Sequence, residues 1–137
     1  MIFSTTVQVL WADTDAARIV WYGNYLRYIE AAENAMFAAL AASLSDLVVR
    51  HQILFPRTSL ACQFRSPARF EDVLSVKLRI ASVTERRARL EFTIQQHASE
   101  QVVAEGSYEI ACVDDRTFQG RPWPTEVHAL LARAVQP

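Results

Sequence analysis

Glycine is scarce in this chain. Three occur among 137 residues, Gly23, Gly106 and Gly120, too far apart to build a glycine-rich phosphate loop. Only two cysteines occur, Cys62 and Cys112, both on apolar positions of strand-like stretches where a free thiol behaves as a small buried hydrophobe. No disulfide framework is expected, and a reducing cytoplasmic compartment fits. The three histidines, His51, His97 and His128, are dispersed and share no metal-ligand spacing with the cysteines, so no metal site is expected. Neither sign of charge prevails: 14 basic against 15 acidic side chains give a formal net charge of -1, which leaves no overall field for a nucleic-acid backbone or an anionic membrane. Apolar runs are broken by charges before the ~18 residues of a membrane span, and the start, MIFSTTVQVLW, has no basic leader ahead of an apolar run. No serine sits in a G-x-S-x-G elbow, which removes that class of hydrolase.

What is present is enough apolar material, 51% of the residues, for one packed domain over residues 1–137. From Phe3 to Trp11, Thr5, Val7, Val9 and Trp11 alternate with Thr6 and Gln8, the period of a half-buried strand. From Asn24 to Leu44 the period changes. Tyr25, Ile29, Ala32, Met36 and Leu40 form one helical stripe with Arg27, Asn34 and Ala38 opposite, predicting an amphipathic helix of about 20 residues. Its alanines, among them Ala31, Ala32, Ala35, Ala38, Ala39, Ala41 and Ala42, favour helix and allow a sheet to approach closely. After the connector SLSDLVVRHQ, four strand-like runs follow, Leu54 to Ser66, Val73 to Val83, Arg87 to His97 and Val102 to Val113, read as an antiparallel meander. Thr125 to Val135 reads as a terminal helix. One strand, one long helix and four strands, without a βαβ rhythm, make an α+β domain with a sheet wrapped on a helix. The exposed edges of such a sheet predict a homodimer or homotetramer.

The chemistry-bearing stretch is ADTDAARIVWYGNY, which places Asp13 and Asp15 one residue apart between the first strand and the long helix. A carboxylate beside a helix start stays ionised, and the unpaired N–H groups there can hold an oxyanion. Such an aspartate also serves as a plain turn or helix cap, and the pattern alone leaves both roles open. DTDAARIVWYGNYLRYIEAA resembles the N-terminal signature of the 4-hydroxybenzoyl-CoA thioesterase family of hotdog proteins, roughly DxDxxGxVxxxxY. The similarity continues through PRTSLACQFRSPARFEDVLSVKLRI and covers most of the chain.

That resemblance implies a hotdog fold, one long central helix wrapped by a five-stranded antiparallel sheet, and hydrolysis of an acyl-CoA thioester with no metal or redox cofactor. It makes Asp15 the catalytic carboxylate, nucleophile or base, with Asp13 in support, and makes the backbone N–H of Tyr22 the oxyanion donor. Arg18 stands where relatives carry glycine. Arg86 and Arg87 resemble a basic turn that holds the nucleotide end of coenzyme A; a solvated hairpin tip is the plainer reading, and Arg65, Arg69 and Arg89 are further basic neighbours. Trp11, Trp21, Tyr22, Tyr25 and Phe55 are candidate walls of an acyl pocket, or simply core. Glu30 and Glu33 are rival carboxylates, since another hotdog class uses an acid in mid-helix; an acid near Glu30 also matches one that contacts the ring substituent in aromatic-acyl members. The hydratase pattern of that fold, an acid followed closely by histidine, is missing. Benzoyl-type, short-chain or medium-chain acyl-CoA, an acyl carrier protein thioester, non-catalytic acyl-CoA binding and a purely structural role remain as alternatives.

Overall fold

The computed structural model describes residues 1–40 and 43–135. β1 (Phe3–Gln8) leads through a loop with two 3-10 turns into α1 (Tyr25–Ala39) and α2 (Leu44–His51), followed by β2 (Ile53–Leu54), β3 (Arg57–Phe64), β4 (Val73–Val83), β5 (Arg87–Gln96), β6 (Val102–Ala111), β7 (Val113–Asp114) and α3 (Thr125–Val135). β1-β4-β5-β6-β3 form an antiparallel five-stranded sheet, and β2 with β7 a small second ladder. The expected hotdog arrangement is therefore present, with α1 packed on the inner face of the sheet.

Binary patterning explains the packing. The stripe Tyr25, Ile29, Ala32, Met36 and Leu40 is buried, as are Leu74, Val76, Leu78 and Ile80 of β4 and Leu90, Phe92 and Ile94 of β5. Each strand presents its apolar set to one face, so the helix and the sheet close one core between them. Val127, Leu131 and Ala134 of α3 are buried too, and α3 packs on β4.

Five sequence expectations need correction. The four later strands are not a simple meander: β3 pairs with β6 at the far edge, Cys62 facing Gly106, instead of lying beside β4. The run from Leu54 to Ser66 splits at Pro56, which has no N–H for a ladder. The first strand stops at Gln8, because Asp13 accepts from the Leu10 N–H and folds residues Trp11–Asp13 into a 3-10 turn, leaving Trp11 73% exposed. The long helix ends at Ala39, and Leu44 opens α2 behind a Ser43 cap; Ala41 and Ala42 lie outside the described residues. Cys112 is buried as expected, whereas Cys62, on the edge strand, is half-buried.

Two edges remain. β1 closes one side, and β3 closes the other with both of its faces largely open, Leu60 and Phe64 among the exposed side chains. Gly106 explains how β3 sits there: a β-carbon at that position would lie 1.9 Å from the Ala61 carbonyl oxygen, so only glycine permits the approach.

Candidate active site

Asp13 and Asp15 have opposite environments. Asp13 is 2% exposed, and its carboxylate accepts from the Tyr28 hydroxyl (2.7 Å), the Leu10 N–H (3.0 Å) and the Arg27 guanidinium. Burial pushes its carboxyl up, but the Leu10 N–H, Tyr28 and Arg27 together outweigh burial and hold it below the ordinary value. Burial first, and then the hydrogen bond to the Asp13 carboxylate and its charge, push the Tyr28 phenol above its ordinary range, so it stays protonated and donates. The backbone of Asp13 is used as well, its carbonyl accepting from the Trp21 N–H (2.9 Å) and from Nδ2 of Asn24 (2.8 Å). Asp13 thus fastens the loop to the start of α1 and has no oxygen left for a ligand.

Asp15 lies two residues further out, exposed at the tip of a small hairpin. Thr14 bridges Val20, the Asp15 N–H donates to the Ile19 carbonyl (3.0 Å), and the Arg18 N–H donates to the Asp15 carbonyl (2.9 Å). Its carboxylate accepts one hydrogen bond, from the Ala17 N–H at 2.9 Å. Arg18 closes this turn with φ of 64°, the left-handed conformation that glycine adopts freely. The arginine therefore holds a turn conformation that glycine would adopt freely, at a strain of about 1–2 kcal/mol.

Trp21 is extended (ψ 131°), and Tyr22 opens the 3-10 turn Tyr22–Asn24 that leads into α1. The Tyr22 N–H is thus one of the unpaired donors of a helix start. Asp13 is joined to Trp21 by a hydrogen bond, and Asp15 lies two extended residues beyond it, about 7 Å. Carboxylate and N–H donor therefore sit on one hairpin. Exposed aromatic rings surround them: Trp21 packs on Tyr22 (5.1 Å between centroids), and Tyr22 on Phe64 (6.4 Å).

Other expected residues fall elsewhere. Tyr25 is buried between Tyr28 and Phe64, and Phe55 is buried against Phe37 and Trp123, so both are core. Trp11 is exposed and packs edge-on to Phe70. Arg86 and Arg87 lie at the opposite end of the sheet from Asp15: β1 runs into the loop beside Val73, whereas the Arg86 turn follows Val83, and the 11 residues of β4 between them span roughly 35 Å. Arg87 is engaged by Glu109 and Thr58 (3.2 Å each), and Arg86 reaches the Gly120 carbonyl.

Glu30 is exposed and Glu33 buried. Glu33 accepts from the Tyr108 hydroxyl (2.6 Å) and pairs with Arg57, contacts that sequence reading missed. The signal was there, since a carboxylate on the buried stripe of a helix requires a cation or strong donors. Burial and then the Glu33 charge push the Tyr108 phenol above its ordinary range. Among the described residues no group of three His, Cys, Asp or Glu is placed to hold a metal ion, and no single helix is long and apolar enough to cross a membrane.

Comparison with known proteins gives a consistent picture. Residues 9–131 match the family described as the thioesterase-like superfamily. The acyl-CoA thioesterase YbgC of Haemophilus influenzae is 27% identical over 127 residues, covering 93% of this chain and 92% of that one. A 1,4-dihydroxy-2-naphthoyl-CoA hydrolase of Synechocystis is 25% identical over 129 residues, covering 91% and 94%. The crystal structure of Slr0204, a 1,4-dihydroxy-2-naphthoyl-CoA thioesterase from Synechocystis, superposes over the whole of both chains with a TM-score of 0.89 at 23% identity.

Proposed function

The chain belongs to the thioesterase-like superfamily and is a thioester hydrolase, and from that premise we propose that it cleaves an acyl-CoA to the free acid and coenzyme A at the Asp15 turn. The observation that carries this reading is the contrast between the two aspartates. Asp13 is consumed by internal partners, whereas Asp15 is exposed with a single hydrogen bond, on the hairpin that ends at the free Tyr22 N–H.

In this mechanism the thioester carbonyl oxygen accepts from the Tyr22 N–H. The Asp15 carboxylate then either adds to the carbonyl carbon or takes a proton from the attacking water, and the coenzyme A thiolate leaves. No metal or redox cofactor enters. The rings of Trp21, Tyr22 and Phe64, and a relative that acts on a naphthoyl-CoA, favour an aromatic acyl group over a short aliphatic one. Arg18 does not argue for a merely binding protein, because it adopts the left-handed backbone open to the glycine of the signature.

Association with a second copy would give Arg86 and Arg87 a role. Antiparallel pairing of β3 with β3 of a second copy would set the Arg57 end of one copy beside the Phe64 and Tyr22 end of the other. Arg87 adjoins that Arg57 end through Thr58, so the basic turn of one copy would serve the coenzyme A bound by the other. Light scattering should give at least twice the 15.5 kDa chain mass; a monomer that turns over substrate would contradict this role.

The oxyanion donor can be tested without touching a catalytic side chain. Trp21 is extended, as a residue preceding proline must be, and proline is tolerated at the first position of a helix. Tyr22→Pro removes the N–H together with the ring, and Tyr22→Ala removes the ring but keeps the N–H, so Tyr22→Pro should show a kcat lower by about 100-fold or more than that of Tyr22→Ala. Equal activity of the two variants would place the oxyanion elsewhere.

A further inference from the structure

Asn24 stands where the local structure has no need of an asparagine. Its backbone is helical (φ -73°, ψ -17°), because it ends the 3-10 turn Tyr22–Asn24 and runs directly into α1, and its side chain caps no N–H of that helix. An asparagine beside a helix start is ordinarily favoured for such a cap, and on a helical backbone alanine is the better residue. The side chain is used otherwise: Nδ2 donates to the Asp13 carbonyl at 2.8 Å.

That bond completes a clasp. The same carbonyl accepts from the Trp21 N–H at 2.9 Å, so one oxygen holds the chain immediately before Tyr22 and again beyond it. A single hydrogen bond would leave the turn free to pivot about Trp21, whereas the second removes that pivot and fixes the direction in which the Tyr22 N–H points. The Asp13 carbonyl belongs to the segment that carries Asp15, so the clasp also sets the N–H relative to the Asp15 carboxylate. Arg27 and Tyr28 do not replace it. Their side chains bind the Asp13 carboxylate, and among the described residues they make no hydrogen bond to the Tyr22–Asn24 turn.

Resting on the Asp15 reading above, we infer that Asn24 is a positioning residue for thioester hydrolysis, its amide holding the Tyr22 N–H and the Asp15 carboxylate at the separation the reaction needs. The side chain acts through the Asp13 carbonyl and touches no substrate. An oxyanion held at the N–H and a carboxylate acting at the adjoining carbon tolerate little error, since a displacement of about 1 Å costs up to about 100-fold in rate. Binding of the acyl chain and of coenzyme A does not depend on that separation, so the loss falls on kcat and not on KM.

The test measures acyl-CoA turnover by Asn24→Ala, which suits the helical backbone, and by Asn24→Leu, which keeps the branched shape without a donor. Both should lower kcat by about tenfold or more at unchanged KM and unchanged urea unfolding. Amide hydrogen exchange should quicken at Trp21 and Asp15 and stay slow from Ile29 to Met36 of α1. In the Asp15→Asn background the same substitutions should cost less than about twofold more, because no carboxylate is left to misplace. Unchanged kcat in both variants beside an inactive Asp15→Asn overturns the assignment and leaves the Asp15 reading standing. A fall in kcat matched by faster exchange throughout α1 overturns it too, as a general loosening. Full turnover by Asp15→Asn sinks the Asp15 reading instead; a kcat loss in the Asn24 variants then keeps the clasp as a support of the Tyr22 N–H, and no loss overturns the clasp as well.

Discussion

Asp13 and Asp15 show how two identical side chains one residue apart acquire different work. Truncating Asp13 strands the Tyr28 hydroxyl and the Leu10 N–H, and Asp13→Ala should lose about 1–3 kcal/mol of stability in urea unfolding at neutral pH. The sign of its pH dependence follows from a carboxyl held below its ordinary value: the stabilisation is complete above the unfolded value near 3.8 and is lost as pH falls through the lower folded value. The gap between wild type and Asp13→Ala should therefore close in acid. A gap unchanged at pH 2 would mean that packing, not the carboxylate, is responsible. The spacing of the motif singled out the Asp13 and Asp15 pair, but the exposure of Asp15 and the inward turn of Asp13 were not legible, because they depend on Arg27 and Tyr28 one helical turn into α1. The turns were obscured for a related reason. Arg18, Gln52, Glu71, Glu100 and Phe118 all have positive φ, and no glycine does, so the usual marker of left-handed turns is absent from the sequence.

Among the elements, faces were legible and partners were not. Alternation in β4 and β5 and the stripe of α1 identify which residues are buried, since those periods are local. Placement of β3 beside β6 is a long-range choice that periodicity cannot encode. One residue hinted at it: a lone glycine inside a strand marks close backbone approach, and Gly106 admits the Ala61 carbonyl. Gly106→Ala must push β3 away, and should destabilise by about 1–3 kcal/mol and raise hydrogen exchange along β3 ahead of β4 and β5. Uniform exchange would show that the edge tolerates the methyl group. Glu33 was legible as a carboxylate near the helix stripe, while Arg57 and Tyr108, its partners from the distant β3 and β6, were not.

At the scale of the whole molecule, the fold brings the carboxylate, the helix-start N–H and an aromatic rim to one end of the sheet, and leaves the basic turn at the other. That separation is why one chain alone does not hold all the residues that the sequence nominated, and why the open edge of β3 belongs to the account. The central proposal is nonetheless local, that the exposed Asp15 carboxylate does the chemistry. It is tested most directly by thiol release from aromatic and aliphatic acyl-CoAs, comparing the wild-type protein with Asp15→Asn, a change that keeps a side-chain oxygen to accept from the Ala17 N–H and so keeps the hairpin intact. Turnover by wild type that falls by about 100-fold or more in the variant, with unchanged unfolding, is the predicted result. Undiminished turnover by Asp15→Asn would contradict it and move the reaction to Glu30 or Glu33.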